Sequence, residues 1–104
     1  MTRTKLKIQT LPEYSELKIL INHPMENGRN RDLDGRLIPA HFIETLTVER
    51  NGIPVLILQM GGSVAKQPFL SLRLAPLAAG ERVRVSWQDN QGQTDQVEQL
   101  MAAP

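Results

Sequence analysis

The chain has 104 residues, with 12 Lys and Arg against 11 Asp and Glu, a formal net charge of +1 and no cysteine. Without cysteine there is no disulfide, thiolate nucleophile, zinc–thiolate site or iron–sulfur cluster. Charge is spread along the chain and the aromatic residues are few (Tyr14, Phe42, Phe69, Trp87), so nucleic-acid binding has neither an electrostatic nor a stacking basis.

This length suits one domain spanning 1–104, with roughly two-thirds of the unfolded surface buried on folding and no need of metal or disulfide staples. Met1 to Lys7 is positively charged but has no apolar segment behind it. No signal peptide is expected, and taken alone that suggests the cytoplasm. Thr2 to Gln9 alternates Arg3, Lys5 and Lys7 with Leu6 and Ile8, the pattern of a half-exposed edge strand. Glu16 to Asn22 is the second strand, with Leu17, Ile19 and Ile21 on one face and Leu20 on the other. Lys18 interrupts this run, and no apolar stretch approaches membrane-spanning length. His23-Pro24 stops the strand, and nothing periodic follows until about Ala40. Such a long loop is more often functional or mobile than incidental.

Phe42 to Arg50 is the third strand, and Asn51-Gly52 predicts a type I′ turn into the fourth, Ile53 to Met60. The fourth strand is apolar on both faces, with Ile53, Val55 and Ile57 on one and Leu56, Leu58 and Met60 on the other. A small β domain has one core, so a partner is expected to cover one of these faces. An irregular stretch from Gly61 to Pro68 leads into a fifth strand, Phe69 to Leu74, and Ala75 to Gly80 turns the chain. Val83, Val85 and Trp87 then alternate with polar residues, and the only Trp is predicted at the centre of the core. Asp89-Asn90-Gln91-Gly92 turns the chain into Thr94 to Leu100, with φ > 0 expected at Gly92. The sum is an all-β chain of about seven strands, an immunoglobulin-like antiparallel β-sandwich.

Tests for chemistry return little. Gly61-Gly62-Ser63-Val64-Ala65 departs from a nucleophile elbow at its last position and lacks a strand-to-helix context. Asn30 to Gly35 matches the first half of a calcium loop, but its twelfth position is His41, and Arg29, Arg31 and Arg36 oppose a cation. His23 and His41 flank the long loop and could meet in space as metal ligands. No spacing sets two carboxylates across a substrate. This profile suits a binding or scaffold subunit better than an enzyme.

Several segments together resemble the SoxZ family, the non-catalytic subunit of the SoxYZ sulfur carrier of thiosulfate oxidation. They are Ile21 to Gly28 with its His-Pro-Met-Glu run, Ile38-Pro39, Asn51-Gly52, Pro68 to Ser71 and Trp87 to Gly92. Gln67 stands where Asn is usual, Asn27 where Thr is expected, and the Gly61-Gly62 stretch is atypical. The resemblance implies a heterodimer with SoxY, whose arm cysteine carries the sulfur, and no catalytic, cofactor or metal residues on this chain. It implies transient contacts with the other Sox enzymes, and no nucleic-acid or membrane partner. It also moves the expected compartment to the periplasm, reached by co-export with a signal-bearing SoxY. Leu20, Val55, Leu56, Leu58, Met60, Pro68 and Phe69 are expected at the partner interface, and His23, Pro24, Met25 and Glu26 at a docking strand end. The alternatives are a free-standing protein-binding sandwich or a metal-dependent enzyme at His23 and His41.

Overall fold

The computed structural model describes residues 3–102 and contains seven strands, all antiparallel, with no helix among the described residues. They are β1 (Thr4–Thr10), β2 (Ser15–Ile21), β3 (Ile43–Arg50), β4 (Ile53–Gln59), β5 (Phe69–Leu74), β6 (Arg82–Asp89) and β7 (Thr94–Leu100). One sheet has the order β1-β2-β5 and the other β4-β3-β6-β7. The expected sandwich is therefore present, with strand ends within two residues of their predicted places. The predicted start of the first strand at Thr2 lies outside the described residues. In the constant-type immunoglobulin arrangement the fourth strand joins the first sheet; here the tight Asn51-Gly52 turn keeps β4 beside β3. Both turn residues have positive φ, 53° and 79°, as a type I′ turn requires.

The core follows from strand alternation. Leu17, Ile19 and Ile21 of β2 share it with Ile43, Leu46 and Val48 of β3 and with Val83, Val85 and Trp87 of β6. Ile43 and Leu46 both point inward because the β3–β6 register slips between Ile43 and Thr45. β4 resolves the ambiguity of its two apolar faces. Leu56, Leu58 and Met60 pack against the core, whereas Ile53, Val55 and Ile57 are exposed.

Polar side chains close both ends of the sandwich. The Trp87 indole donates to Thr4 Oγ1 at 2.8 Å, and that hydroxyl donates to Asp95 Oδ2 at 2.8 Å. This relay joins β1 of the three-stranded sheet to β6 and β7 of the other. At the far end Arg50 donates to Glu81 at 2.7 and 2.9 Å and to the carbonyls of Ala75 and Pro76. The Arg50 guanidinium, helped by the Ala78 amide, holds the Glu81 carboxyl down to about 2.

The long axis measures 55 Å and the other two 24 and 21 Å. A strand of eight residues spans only about 27 Å, so the chain between β2 and β3 must extend the molecule. It forms an irregular hairpin arm, with Glu26 and His41 exchanging backbone hydrogen bonds at its base. Asp32 and Arg36 close its tip, where Leu33 is fully exposed.

Thr4→Val keeps the side-chain volume but leaves the buried Trp87 N–H without an acceptor. Its expected cost is about 2 kcal/mol in urea denaturation, while Thr4→Ser retains most of the wild-type stability.

Candidate functional site

The polar cluster with the most chemical content lies at the base of the arm. His23 lies two residues beyond the end of β2, His41 two residues before β3, and Asp89 ends β6, so three elements from both sheets converge. The His23 and Asp89 side chains are fully buried and the His41 side chain is largely so. His23 Nε2 lies 3.0 Å and His41 Nε2 2.6 Å from the same oxygen, Asp89 Oδ2. The two rings meet edge to face at 4.5 Å between centroids, and His23 also meets Trp87 edge-on at 5.2 Å.

A proton inventory assigns the roles. The Met25 amide donates to His23 Nδ1 at 3.1 Å, so that nitrogen carries a lone pair. The proton of neutral His23 therefore sits on Nε2 and is donated to Asp89 Oδ2. Asp89 Oδ1 accepts the amides of Gln91 and Gln93 at 3.0 and 2.8 Å. Burial pulls the Asp89 carboxyl up, but the hydrogen bonds from His23, the Gln93 amide, His41 and the Gln91 amide outweigh it and hold it below 3.8. Burial lowers the pKa of His23 below 6.5, with the charges of His41 and Arg3 acting the same way against the upward pull of Asp89.

The three ligand atoms lie within 4.8 Å of one another, close enough to hold a metal ion. The proton inventory disagrees. A metal on His23 Nε2 would displace the proton, leaving either an imidazolate or an Nδ1–H aimed at the Met25 N–H. Every buried polar side-chain atom of the cluster is satisfied by its neighbours. The arrangement serves as a clasp that pins the arm base to both sheets.

The sequence-predicted residues separate in this frame. His23 and His41 do meet, as their positions flanking the loop suggested. His23, Met25, Glu26 and Pro68 are buried, so their side chains shape the arm base from within. Met25 lies in the left-handed region at φ 48°, and its Sδ accepts the Ile43 amide. Glu26 accepts from Asn30 Nδ2 and lies 3.7 Å from Lys66. Pro24, Leu20, Val55 and Phe69 are exposed, and Leu56, Leu58 and Met60 are half-buried against the core. Leu20 and Phe69 stand opposite each other on the three-stranded sheet, away from β4. In the calcium-like stretch, Asp32 Oδ1 instead accepts the amides of Asp34 and Arg36 and shapes the arm tip. Ser63 is exposed in a turn and takes no part in the histidines' hydrogen bonds.

Asp89 is the residue that sequence reasoning missed as a site. The signal was its parity: it falls on the inward side with Val83, Val85 and Trp87, and an inward carboxylate needs donors. Gln67 gains a physical explanation as well. Its φ is 51°, its amide donates to the His23 carbonyl, and Asn, usual at this position in the resembled family, tolerates that conformation better. Gly62 has a steric duty, since a Cβ there would meet Asn27 Cα at 2.8 Å. A concavity of about 580 Å³ lies on the outer face of the four-stranded sheet. Thr45, Thr47, Ser86, Gln88, Thr94 and Gln96 line it, and its one carboxylate, Asp95, already accepts from Thr4 and the Arg3 amide.

Asp89→Asn is expected to cost about 2–3 kcal/mol in chemical denaturation. The wild type should lose stability in acid in two steps. Unfolded His23 takes a proton near 6.5 and folded His23 only at lower pH, so its contribution is full above 6.5 and declines as pH falls below it. Asp89 and Glu81 follow with the same sign, losing theirs as pH falls through folded values below 3.8 and of about 2. Thermal midpoints from pH 8 down to about pH 1.5 check both steps, and His23→Gln should flatten the first. Gln67→Asn should raise stability by about 0.5–1 kcal/mol by relieving the left-handed backbone.

No curated protein matches the sequence. The family model "SoxZ: Sulphur oxidation protein SoxZ" matches residues 5–99. That match spans β1 to nearly the end of β7 and so takes in every strand, the arm and the clasp. The chain therefore belongs to the SoxZ family of sulphur oxidation proteins.

Proposed function

We propose that this chain is the scaffold subunit of a SoxYZ-type sulfur carrier in thiosulfate oxidation. It pairs with a SoxY-type subunit, stabilises it and helps present its cysteine-bound sulfur intermediates to the Sox enzymes. The chain has no thiol of its own, so covalently held sulfur has to sit on the partner. The reading includes a periplasmic location, with export supplied by the partner's signal, and no catalytic step on this chain.

The observation that carries the pairing is the outer strip of β4. Ile53, Val55 and Ile57 are 67%, 45% and 58% exposed along an edge strand, with Ile57 beside Thr47 on the outer face and Ile53, past the bulge, opposite Arg50. Three large apolar side chains on a free edge invite association unless something covers them. Pro54 stands opposite Glu49 where the β3–β4 register slips, and it supplies no N–H to a strand adding there. That favours packing of a partner's side chains on the strip over strand addition along its whole length.

Co-expression with the SoxY-type protein should give a one-to-one complex by light scattering. Val55→Lys with Ile57→Lys should reduce co-purification at least tenfold while leaving the circular dichroism spectrum native. Leu56→Lys or Leu58→Lys should unfold the chain instead, because these side chains face the core. Undiminished pairing of the Val55→Lys, Ile57→Lys variant removes the strip from the interface. A soluble monomer indifferent to SoxY favours a free-standing module.

A further inference from the structure

The outward cations of the two sheets are treated differently. On the four-stranded sheet, Arg82 and Arg84 both pair with Glu98, at 3.2 and 3.0 Å. On the three-stranded sheet, strand alternation turns Lys5 and Lys7 of β1, Glu16, Lys18 and Leu20 of β2, and Phe69, Ser71 and Arg73 of β5 to one outer face. The register sets them in rows: Lys5, Leu20 and Phe69; Lys7, Lys18 and Ser71; Gln9, Glu16 and Arg73.

Four cations thus share one carboxylate, and Glu16 is drawn to Lys18 at 3.5 Å. Among the described residues Lys5 and Lys7 have no ionic partner. Lys7 stands directly opposite Lys18, an arrangement that destabilises a free sheet. Arg73 lies 4.3 Å above the Tyr14 ring, which holds the guanidinium in place without neutralising it. The whole chain carries only +1, so this excess is local. At the end of the same face, Leu20 and Phe69 form a cross-strand apolar pair, 39% and 60% exposed.

We infer that this face docks an acidic protein surface. Carboxylates of the partner lie over Lys5, Lys7, Lys18 and Arg73, and one apolar side chain seats on Leu20 and Phe69. Cover by negative charge relieves the Lys7–Lys18 repulsion that the free chain bears. A small apolar pair beside a field of cations suits a steered, salt-sensitive contact more than a permanent interface. Glu16 in the midst of the cations, with Tyr14 and Phe69 at opposite ends of the rows instead of stacked in a line, fits a nucleic-acid strand poorly. A flat strand face has no helical apolar stripe to sink into a bilayer. The face lies on the sheet opposite β4, so the inference does not depend on the pairing proposed for that strand.

The test uses the full chain, isotope-labelled for NMR and titrated with a synthetic Glu- and Asp-rich peptide carrying one central Phe. Amide shifts should centre on Lys7, Lys18 and Phe69, and affinity should fall about tenfold or more between about 50 and 300 mM salt. Lys7→Glu should weaken binding at least tenfold while its thermal midpoint does not fall, because an attraction to Lys18 replaces a repulsion. Phe69→Ala should weaken binding severalfold with the salt dependence retained. Absence of binding at low salt, shifts centred on Arg82 and Arg84, or wild-type affinity in Lys7→Glu overturns the inference. Tighter binding to phosphatidylglycerol vesicles or to duplex DNA than to the peptide overturns it in favour of those surfaces.

Discussion

Strand alternation on β6 turns Asp89 to the same side as Val83, Val85 and Trp87, and a carboxylate placed there must be met by donors. An uncompensated buried charge costs several kcal/mol, comparable to the whole stability of a small domain. The surrounding chain is arranged around that demand. The β6–β7 turn curls back so that the Gln91 and Gln93 amides reach Oδ1. β2 ends where His23 can reach Oδ2, and β3 begins where His41 can. One side chain thereby ties the two sheets together and sets where the arm leaves the sandwich.

The two ends of the sandwich use the same device with different exposure. At the arm end the charge is buried and the donors are imidazoles and amides. At the other end Glu81 and Arg50 sit half-exposed, and Arg50 also holds the Ala75 and Pro76 carbonyls that carry the chain from β5 towards β6. Neither end relies on regular strand pairing, so both take their order from side chains that lose their grip in acid. The apolar core side chains, Leu17 and Val85 among them, do not titrate and keep their packing as the ends loosen.

Much of this fold was legible in the sequence because period-two patterning and turn chemistry point the same way. Asn51-Gly52 and Gly92 announced their turns, and Val83, Val85 and Trp87 announced the inner face of β6. The faces of β4 were not legible. Apolar residues on both sides of a short strand give no sign of which is inner, and only the β3–β4 register settles that Leu56 and Leu58 turn in. The site was half legible. Two histidines flanking a loop could be suspected of meeting, but Asp89 read as a turn former because Asp is common at the first position of such a turn. A residue that both starts a turn and faces inward serves two purposes, and the sequence displays only the commoner one. The arm was opaque for another reason: its order comes from side-chain to backbone bonds at Asp32 and Asn27 and a side-chain bond from Asn30 to Glu26, which leave no periodic trace.

The exposed surfaces differ in chemistry as well as in place. The exposed apolar residues of β4 are Ile53, Val55 and Ile57, with Ile57 opposite Thr47 and Ile53, past the bulge, opposite Arg50. The outer face of β1, β2 and β5 carries four cations against one carboxylate, with one apolar pair at its margin. Burial of apolar area gives contacts that persist, and unneutralised charge gives contacts that form fast and dissolve in salt. A subunit that must hold one partner continuously while meeting others in turn needs both kinds of surface, set where neither blocks the other. Here they lie on opposite sheets, and the buried clasp between the sheets keeps their relation fixed. Under the proposed scaffold role, the rigidity of that clasp matters more than any reactivity of its groups. It explains why two histidines and an aspartate, a set able to do chemistry, are spent on hydrogen bonds to one another.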